Sequence, residues 1–253
     1  MHVLVNLFLF IGLFLQPFAG VGATDRYVDP RTGIPIIFVS DKDMYPEFWL
    51  ESPINQKSKP LDTSEIERSK RIILNAMSKY SVRIIRTYLD RIYVTSSLEA
   101  YGTPMGGTRS EKRVYVNNSG ARNGYTDEYM ERTFHHEFSS VLLLNSDTAF
   151  NSEVWNSFND SAFEYGNDEF LAIREGRSGQ ELDTLLHEQG FLHVYARTSQ
   201  ENDFNSFAEL LFLPPPEFIA AVRKYPRLKR KLFYIIDFYT KIDSGYALMK
   251  LGY

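Results

Sequence analysis

The chain contains 253 residues, with 28 Lys and Arg against 32 Asp and Glu and a formal net charge of -4. This weakly acidic balance provides no electrostatic footprint for nucleic acid, so we expect no nucleic-acid partner. The sequence contains no cysteine. This absence excludes a disulfide scaffold, a thiolate zinc site, a cysteine nucleophile and a lipoprotein anchor, which needs a cysteine at its cleavage point.

The first 23 residues are predicted to be an export signal. Residues 3–15 are almost uninterruptedly apolar, Gln16 and Pro17 end the run, and residues 21–23 place small side chains where a signal peptidase would cut. A membrane-spanning helix needs roughly 20 apolar residues, which makes an uncleaved anchor the less favoured alternative. We expect a mature chain of residues 24–253 that is periplasmic or secreted, with no membrane span.

The first half of the mature chain predicts short strands around one helix. The helix is expected to begin at the capping box formed by Ser64 and Glu67 and to end near Ser81. In chain order the other predicted elements are a strand at 36–39, a loop at 41–60, a strand at 92–95, a glycine loop at 101–110 and a strand at 113–117.

The second half predicts mainly helices. Thr126 and Asp127 can cap a helix at 128–144, and a long polar and aromatic connection follows at 145–180. Further helices are predicted at 181–190, 204–212, 217–224 and 228–242. Because the first half of the mature chain predicts a few strands and the second half mainly helices, we expect an α+β fold with a small antiparallel or mixed sheet. We expect a single domain with an N-terminal lobe at about 24–145 and a helical C-terminal lobe at about 146–253.

The most informative motif is the pair His136-Glu137 on the predicted helix 128–144. In a zinc peptidase helix, two histidines four residues apart share one face and bind the metal, and the Glu after the first takes a proton from the bound water. Here Ser140 stands where the second histidine is expected. A lone His-Glu pair has a simpler interpretation, a capped or surface-paired histidine.

Position favours the functional interpretation of this pair. The helix follows the strand at 113–117, and we expect this strand to be a sheet edge near Val114 that can pair with an extended peptide or protein partner. A later helix carries Glu209, which could supply another ligand.

Four segments resemble a bacterial family of zinc-binding metallopeptidases, also named substrate-import-associated zinc metallohydrolases, within the gluzincin group. They lie between about residues 85 and 212, roughly half of the mature chain. The segments are Ser96-Ser97-Leu98-Glu99 with a glycine loop ending Gly106-Gly107-Thr108, Thr133-Phe134-His135-His136-Glu137-Phe138, Gly190-Phe191 through Tyr195-Ala196, and Phe207-Ala208-Glu209. The resemblance implies a zincin-like fold with an active-site helix.

The family pattern is carried over residue by residue. His136 matches the first zinc ligand, Glu137 the general base and Tyr195 a loop tyrosine that helps to stabilise the oxyanion in some gluzincins. The second histidine is replaced by Ser140, and the alignment places Asn205 where the third-ligand glutamate is expected.

Four residues are alternative ligands under this resemblance. A shift of register would use Glu201 or Asp203 in place of Asn205, and Glu209 lies one turn beyond Asn205. His193 could swing toward the metal from its loop, whereas His187 is expected to be a surface histidine. His135 points about 100° away from its neighbour around the helix, so the two cannot easily share one ion.

Two functions are consistent with these residues. The first is an exported zinc-dependent peptidase or hydrolase with an incomplete ligand set, in which Glu137 activates water and Tyr195 steadies the intermediate. The second is a catalytically inactive pseudo-peptidase that binds a partner, linked to outer-membrane nutrient uptake. A serine hydroxyl and an asparagine amide are poor zinc ligands, so we expect zinc to be weakly bound or absent.

Overall fold

The computed structural model describes residues 25–41, 43–146 and 149–252. The predicted export signal therefore lies outside the described residues. Within those ranges, no helix combines the length and the hydropathy that crossing a bilayer requires.

The strands of the described residues form one mixed sheet. The strands are β1 (Arg26–Val28), β2 (Pro35–Ile37), β3 (Lys57–Pro60), β4 (Arg91–Ala100), β5 (Thr103–Pro104), β6 (Gly107–Ser110) and β7 (Arg113–Asn117). The main path of the sheet runs in the order β1-β2-β4-β7-β6, with β3 and β5 also paired to the long central strand β4. Strand β4 is parallel to β2 and β7, and the other pairings are antiparallel.

The predicted position of the sheet edge is wrong. Val114 lies on β7, which pairs with β4 on one side and β6 on the other, so its backbone is not free to bind a peptide. The edge on this side of the sheet is β6, inside the segment predicted as a glycine loop. Tyr101 and Gly102 both have positive φ (53° and 68°) and form the two-residue turn between β4 and β5.

Side chains of β7 alternate between the two faces of the sheet. Val114 and Val116 are buried under the helices, whereas Tyr115 lies on the opposite face and stacks on Tyr93, with ring centroids 5.3 Å apart. That second face is covered by the loop that carries Trp49. The helical face therefore carries the larger core, and the helix that bears His136 packs there.

The helices confirm the predicted α+β class, with short helices added where a connection was expected. The α-helices are α1 (Ile66–Ser78), α2 (Val82–Tyr88), α3 (Asp127–Leu144), α4 (Ser152–Asn156), α5 (Glu169–Arg174), α6 (Thr184–His187), α7 (Gln200–Leu211), α8 (Pro216–Lys224) and α9 (Pro226–Ile242). The predicted connection 145–180 contains α4 and α5, and the predicted helix 181–190 is reduced to α6.

The predicted capping box at the start of the first helix is also wrong. Asp62 caps a short 3₁₀ turn by accepting the Ser64 amide at 2.9 Å, and α1 begins only after that turn, at Ile66. An Asp carboxylate is as good a cap as a Ser hydroxyl, and it comes first along the chain.

Helix α3 forms where the sequence predicts it. The Thr126 hydroxyl accepts the amide of Tyr129 at 3.1 Å, and two acidic residues in the first turn favour the helix dipole. Phe134 and Phe138 are fully buried in the core, where replacement by alanine would cost about 3–5 kcal/mol each. The opposite face of α3 carries His136 and Glu137 toward a cleft.

Candidate functional site

A cleft of about 490 Å³ lies between the sheet edge and the C-terminal helices. Helix α3 forms one side, the backbone around Gly106 and Gly107 a second, and residues between 173 and 181 a third. The cleft brings together four of the predicted site residues, which all line it: His136, Glu137, Tyr195 and Glu209.

Glu209 lies between two histidines. Its Oε2 is 3.1 Å from Nδ1 of His136, and its Oε1 is 3.4 Å from Nε2 of His193. All three side chains are buried. Nδ1 of His193 accepts the amide of Ala196 at 3.1 Å, so a neutral His193 carries its proton on Nε2 and directs that N–H toward Glu209.

The contact between His136 and Glu209 shifts their pKa values in opposite directions. Burial alone would lower the pKa of His136, but the hydrogen bond to Glu209 and the nearby carboxylates outweigh it and raise that pKa to about 9. Burial alone would raise the pKa of Glu209, but the hydrogen bond with His136 and the nearby imidazole of His193 lower it to about 2. The pair is therefore an imidazolium and a carboxylate at neutral pH.

Glu137 has a different environment. Burial raises its pKa to about 7, although the charge of His136 opposes this. A Cβ atom built on Gly107 would lie 2.8 Å from Oε1 of Glu137 and 2.7 Å from Cγ2 of Thr133. The sheet edge therefore approaches α3 so closely that any larger residue at position 107 would require Thr133 and Glu137 to move.

Ser140 and Asn205 bond to each other. The Asn205 amide donates to the Ser140 hydroxyl at 2.7 Å, and its carbonyl oxygen accepts from the hydroxyl of Ser139. Ser140 lies one turn after His136 on α3, and Asn205 lies one turn before Glu209 on α7. The two helices thus run antiparallel, and the His136–Glu209 and Ser140–Asn205 pairs form successive contacts between them.

The donor set does not fit a zinc site with three protein ligands. Such a site needs histidine, thiolate or carboxylate donors, and the described residues contain no group of three or more of these that could hold a metal ion. Ser140 and Asn205 are neutral and use their polar atoms on each other. His193 presents a donor N–H rather than a lone pair to Glu209.

Glu201 lies apart from the other candidates. Its carboxylate is held by the guanidinium of Arg109 on β6, with Nη2 at 2.9 and 3.0 Å from its two oxygens. Tyr195, by contrast, lines the cleft, where burial and the charge of Glu137 raise the pKa of its hydroxyl.

The cleft also contains an ion pair that the sequence motifs did not predict. Glu128 and Arg132 both line the cleft, and their side chains are 2.6 Å apart. With His136 they follow a four-residue spacing along α3, which places them on one face. That spacing, counted backward from His136, is the signal that would have found them.

Two other histidines are buried in the core. His187 was expected at the surface, which is wrong: only 2% of it is exposed, and its ring packs against Tyr225. His135 points away from the cleft, with Nδ1 2.8 Å from the hydroxyl of Tyr80 and Nε2 3.7 Å from Glu131. Burial lowers the pKa of both imidazoles.

Comparisons with known proteins give a distant structural likeness. No family model matches the chain, and no curated protein matches it. A solved structure that is similar is the crystal structure of a putative zinc-binding metallo-peptidase from Bacteroides caccae ATCC 43185. It is 14% identical, with a TM-score of 0.48, over 81% of this chain and 77% of that chain. At this identity and score the likeness says nothing of activity or ligand.

Proposed function

We propose that the protein is a pseudo-peptidase, a peptide-binding protein built on a zincin-like plan whose metal site is replaced by hydrogen bonds. The observation that carries the proposal is the bond between Ser140 and Asn205. These residues stand where the sequence resemblance expects the second and third zinc ligands. Together with the His136–Glu209 pair, they fill the contact between α3 and α7 that a metal ion would otherwise bridge.

The sheet edge supports binding of an extended peptide. The carbonyl of Gly106 accepts the amide of Asn117 on β7 at 2.8 Å. Because backbone groups alternate in direction along a strand, the N–H and C=O of Gly107 point away from β7. Gly107 lines the cleft, so a peptide lying there can add to β6 as a further strand. The peptide partner expected near Val114 is therefore proposed at β6.

The test is zinc content after refolding with equimolar zinc. We expect the wild-type protein to retain far less than one equivalent. The double variant Ser140→His, Asn205→Glu should retain about one, because it places two histidines one turn apart on α3 opposite a carboxylate on α7. The single variant Ser140→Ala is the matched control and should bind no better than wild type.

Stoichiometric zinc in the wild-type protein would contradict the proposal. If that zinc is lost in His136→Ala, and peptide hydrolysis with it, the protein is instead a zinc hydrolase with an unusual ligand set. A double variant that also fails to bind zinc would show that the assignment of Ser140 and Asn205 to ligand positions is wrong.

A further inference from the structure

The cleft contains more carboxylates than cations. Four glutamates line it, against Arg132 and His136. Arg132 is paired with Glu128 at 2.6 Å, and His136 with Glu209 at 3.1 Å. Within the described residues, the cleft glutamates without an ion pair or hydrogen bond are Glu137, beside Gly107, and Glu181, which is exposed.

The position of Glu137 relative to the sheet edge fixes which ligand side chain would meet it. The missing side chain of Gly107 points toward Glu137 and Thr133 on α3. Residues directly opposite each other on neighbouring strands direct their side chains to the same face of the sheet, with Cβ atoms about 4.5–5.5 Å apart. A peptide residue opposite Gly107 would therefore direct its side chain toward Glu137.

We propose that the cleft selects a basic peptide, with a Lys or Arg side chain opposite Gly107 whose cation pairs with the carboxylate of Glu137. This proposal rests on the peptide-binding function proposed above. An aliphatic side chain there would bury the Glu137 carboxylate without a partner, and an acidic one would add repulsion. Because position 107 is glycine, the side chain of Glu137 lies directly against the sheet edge.

The experiment measures binding of eight-residue peptides built from Ser, Thr and Val. Their ends are acetylated and amidated, and one fixed position carries Lys, Gln, norleucine or Glu. Affinity is read by fluorescence anisotropy at about 0.15 M salt, where long-range attraction is screened. We expect the Lys peptide to bind at least about tenfold more tightly than the norleucine peptide, and the Glu peptide to bind least.

Two variants test whether Glu137 causes the preference for the Lys peptide. Glu137→Gln should reduce the Lys-to-norleucine ratio to about one, because the amide keeps the shape and loses the charge. Glu217→Gln removes an equal charge at an exposed position on α8 and should leave the ratio unchanged.

The outcomes separate this inference from the function on which it rests. If no peptide of any charge binds, the peptide-binding function is wrong. If peptides bind with equal affinity for Lys and norleucine, or if Glu137→Gln preserves the preference, only the assignment of Glu137 as the cation acceptor is wrong.

Discussion

Glu137 is a carboxylate whose position is unfavourable for the stability of the fold. Its pKa of about 7 lies above its ordinary value of 4.5, so folding favours the protonated form. That stabilisation is complete below about pH 4.5 and is lost as the pH rises through 7. A carboxylate in such an environment is typical of a binding or reactive group rather than of the packing.

We therefore expect Glu137→Gln to stabilise the protein increasingly as the pH rises. The gain should be near zero at pH 4.5 and reach up to about 3 kcal/mol at pH 8, because a shift of one pKa unit corresponds to about 1.4 kcal/mol. Urea unfolding of both proteins across this range measures it. A constant difference between the two would mean that Glu137 is ionised at its ordinary pKa.

Glu209, unlike Glu137, stabilises the charged form of a neighbouring side chain. It holds His136 in the charged form, so stability from His136 is present below pH 6.5 and lost as the pH rises through about 9. In Glu209→Gln, burial should dominate, and the pKa of His136 should fall below 6.5. Titration of the imidazole resonances by NMR measures the shift, and the buried His135 resonance is the internal control. A wild-type His136 that titrates at or below 6.5 would contradict the charged pair.

At the scale of elements, the bond between α3 and α7 makes a separate prediction. Asn205→Ala leaves the hydroxyl of Ser140 without its partner and removes one of the two acceptors of the Ser139 hydroxyl, which still donates to the carbonyl of His136. Ser140→Ala leaves only one amide N–H of Asn205 without its acceptor. We expect about 2–3 kcal/mol of destabilisation for the first and about 1 kcal/mol for the second. The double variant should be less destabilised than the two effects combined, because both remove the same bond. Urea unfolding measures all three, and strict additivity would show that the bond does not couple the helices.

Some of the helices and strands are predictable from local sequence signals, and others are not. Helix α3 is predictable because its cap, its acidic first turn and its apolar spacing are all local. Strand β6 is not predictable in the same way. Gly107 lacks strand propensity, and the reason for a glycine there is the approach of Glu137, thirty positions away in sequence. The short helices α4 to α6 lack periodicity because few of their residues reach the core.

Tertiary packing, and not the sequence, decides which of the alternative ligand residues lies beside His136. Glu201 and Glu209 lie about two turns apart on α7 and are equivalent in the sequence pattern. The antiparallel register of α3 and α7 places Glu209 against His136 and leaves Glu201 to Arg109. Four of the predicted site residues line the cleft, but their pairings were not predictable, and the pair Glu128–Arg132 was missed. The export signal stays a prediction.

At the scale of the whole molecule, a lysine of α9 binds both the loop and the helix that carry cleft residues. The ammonium group of Lys231 is fully buried, donates to the carbonyl of Gly190 at 2.6 Å and lies 2.5 Å from Asp203 on α7. Gly190 begins the loop that continues to His193 and Tyr195. One cation on the last long helix therefore fixes both the loop and the helix that build the site.

Breaking this pair should weaken the fold and the cleft together. Lys231→Met leaves the carboxylate of Asp203 buried without a counter-ion, and we expect about 3–5 kcal/mol of destabilisation. The double variant Lys231→Met, Asp203→Asn should recover part of the loss, because a neutral amide oxygen can still accept from Trp155 and Tyr165. Urea unfolding measures stability, and peptide affinity reports whether the loop still positions the cleft. If the double variant is no more stable than Lys231→Met, the loss comes from packing of the lysine stem and not from the unpaired charge.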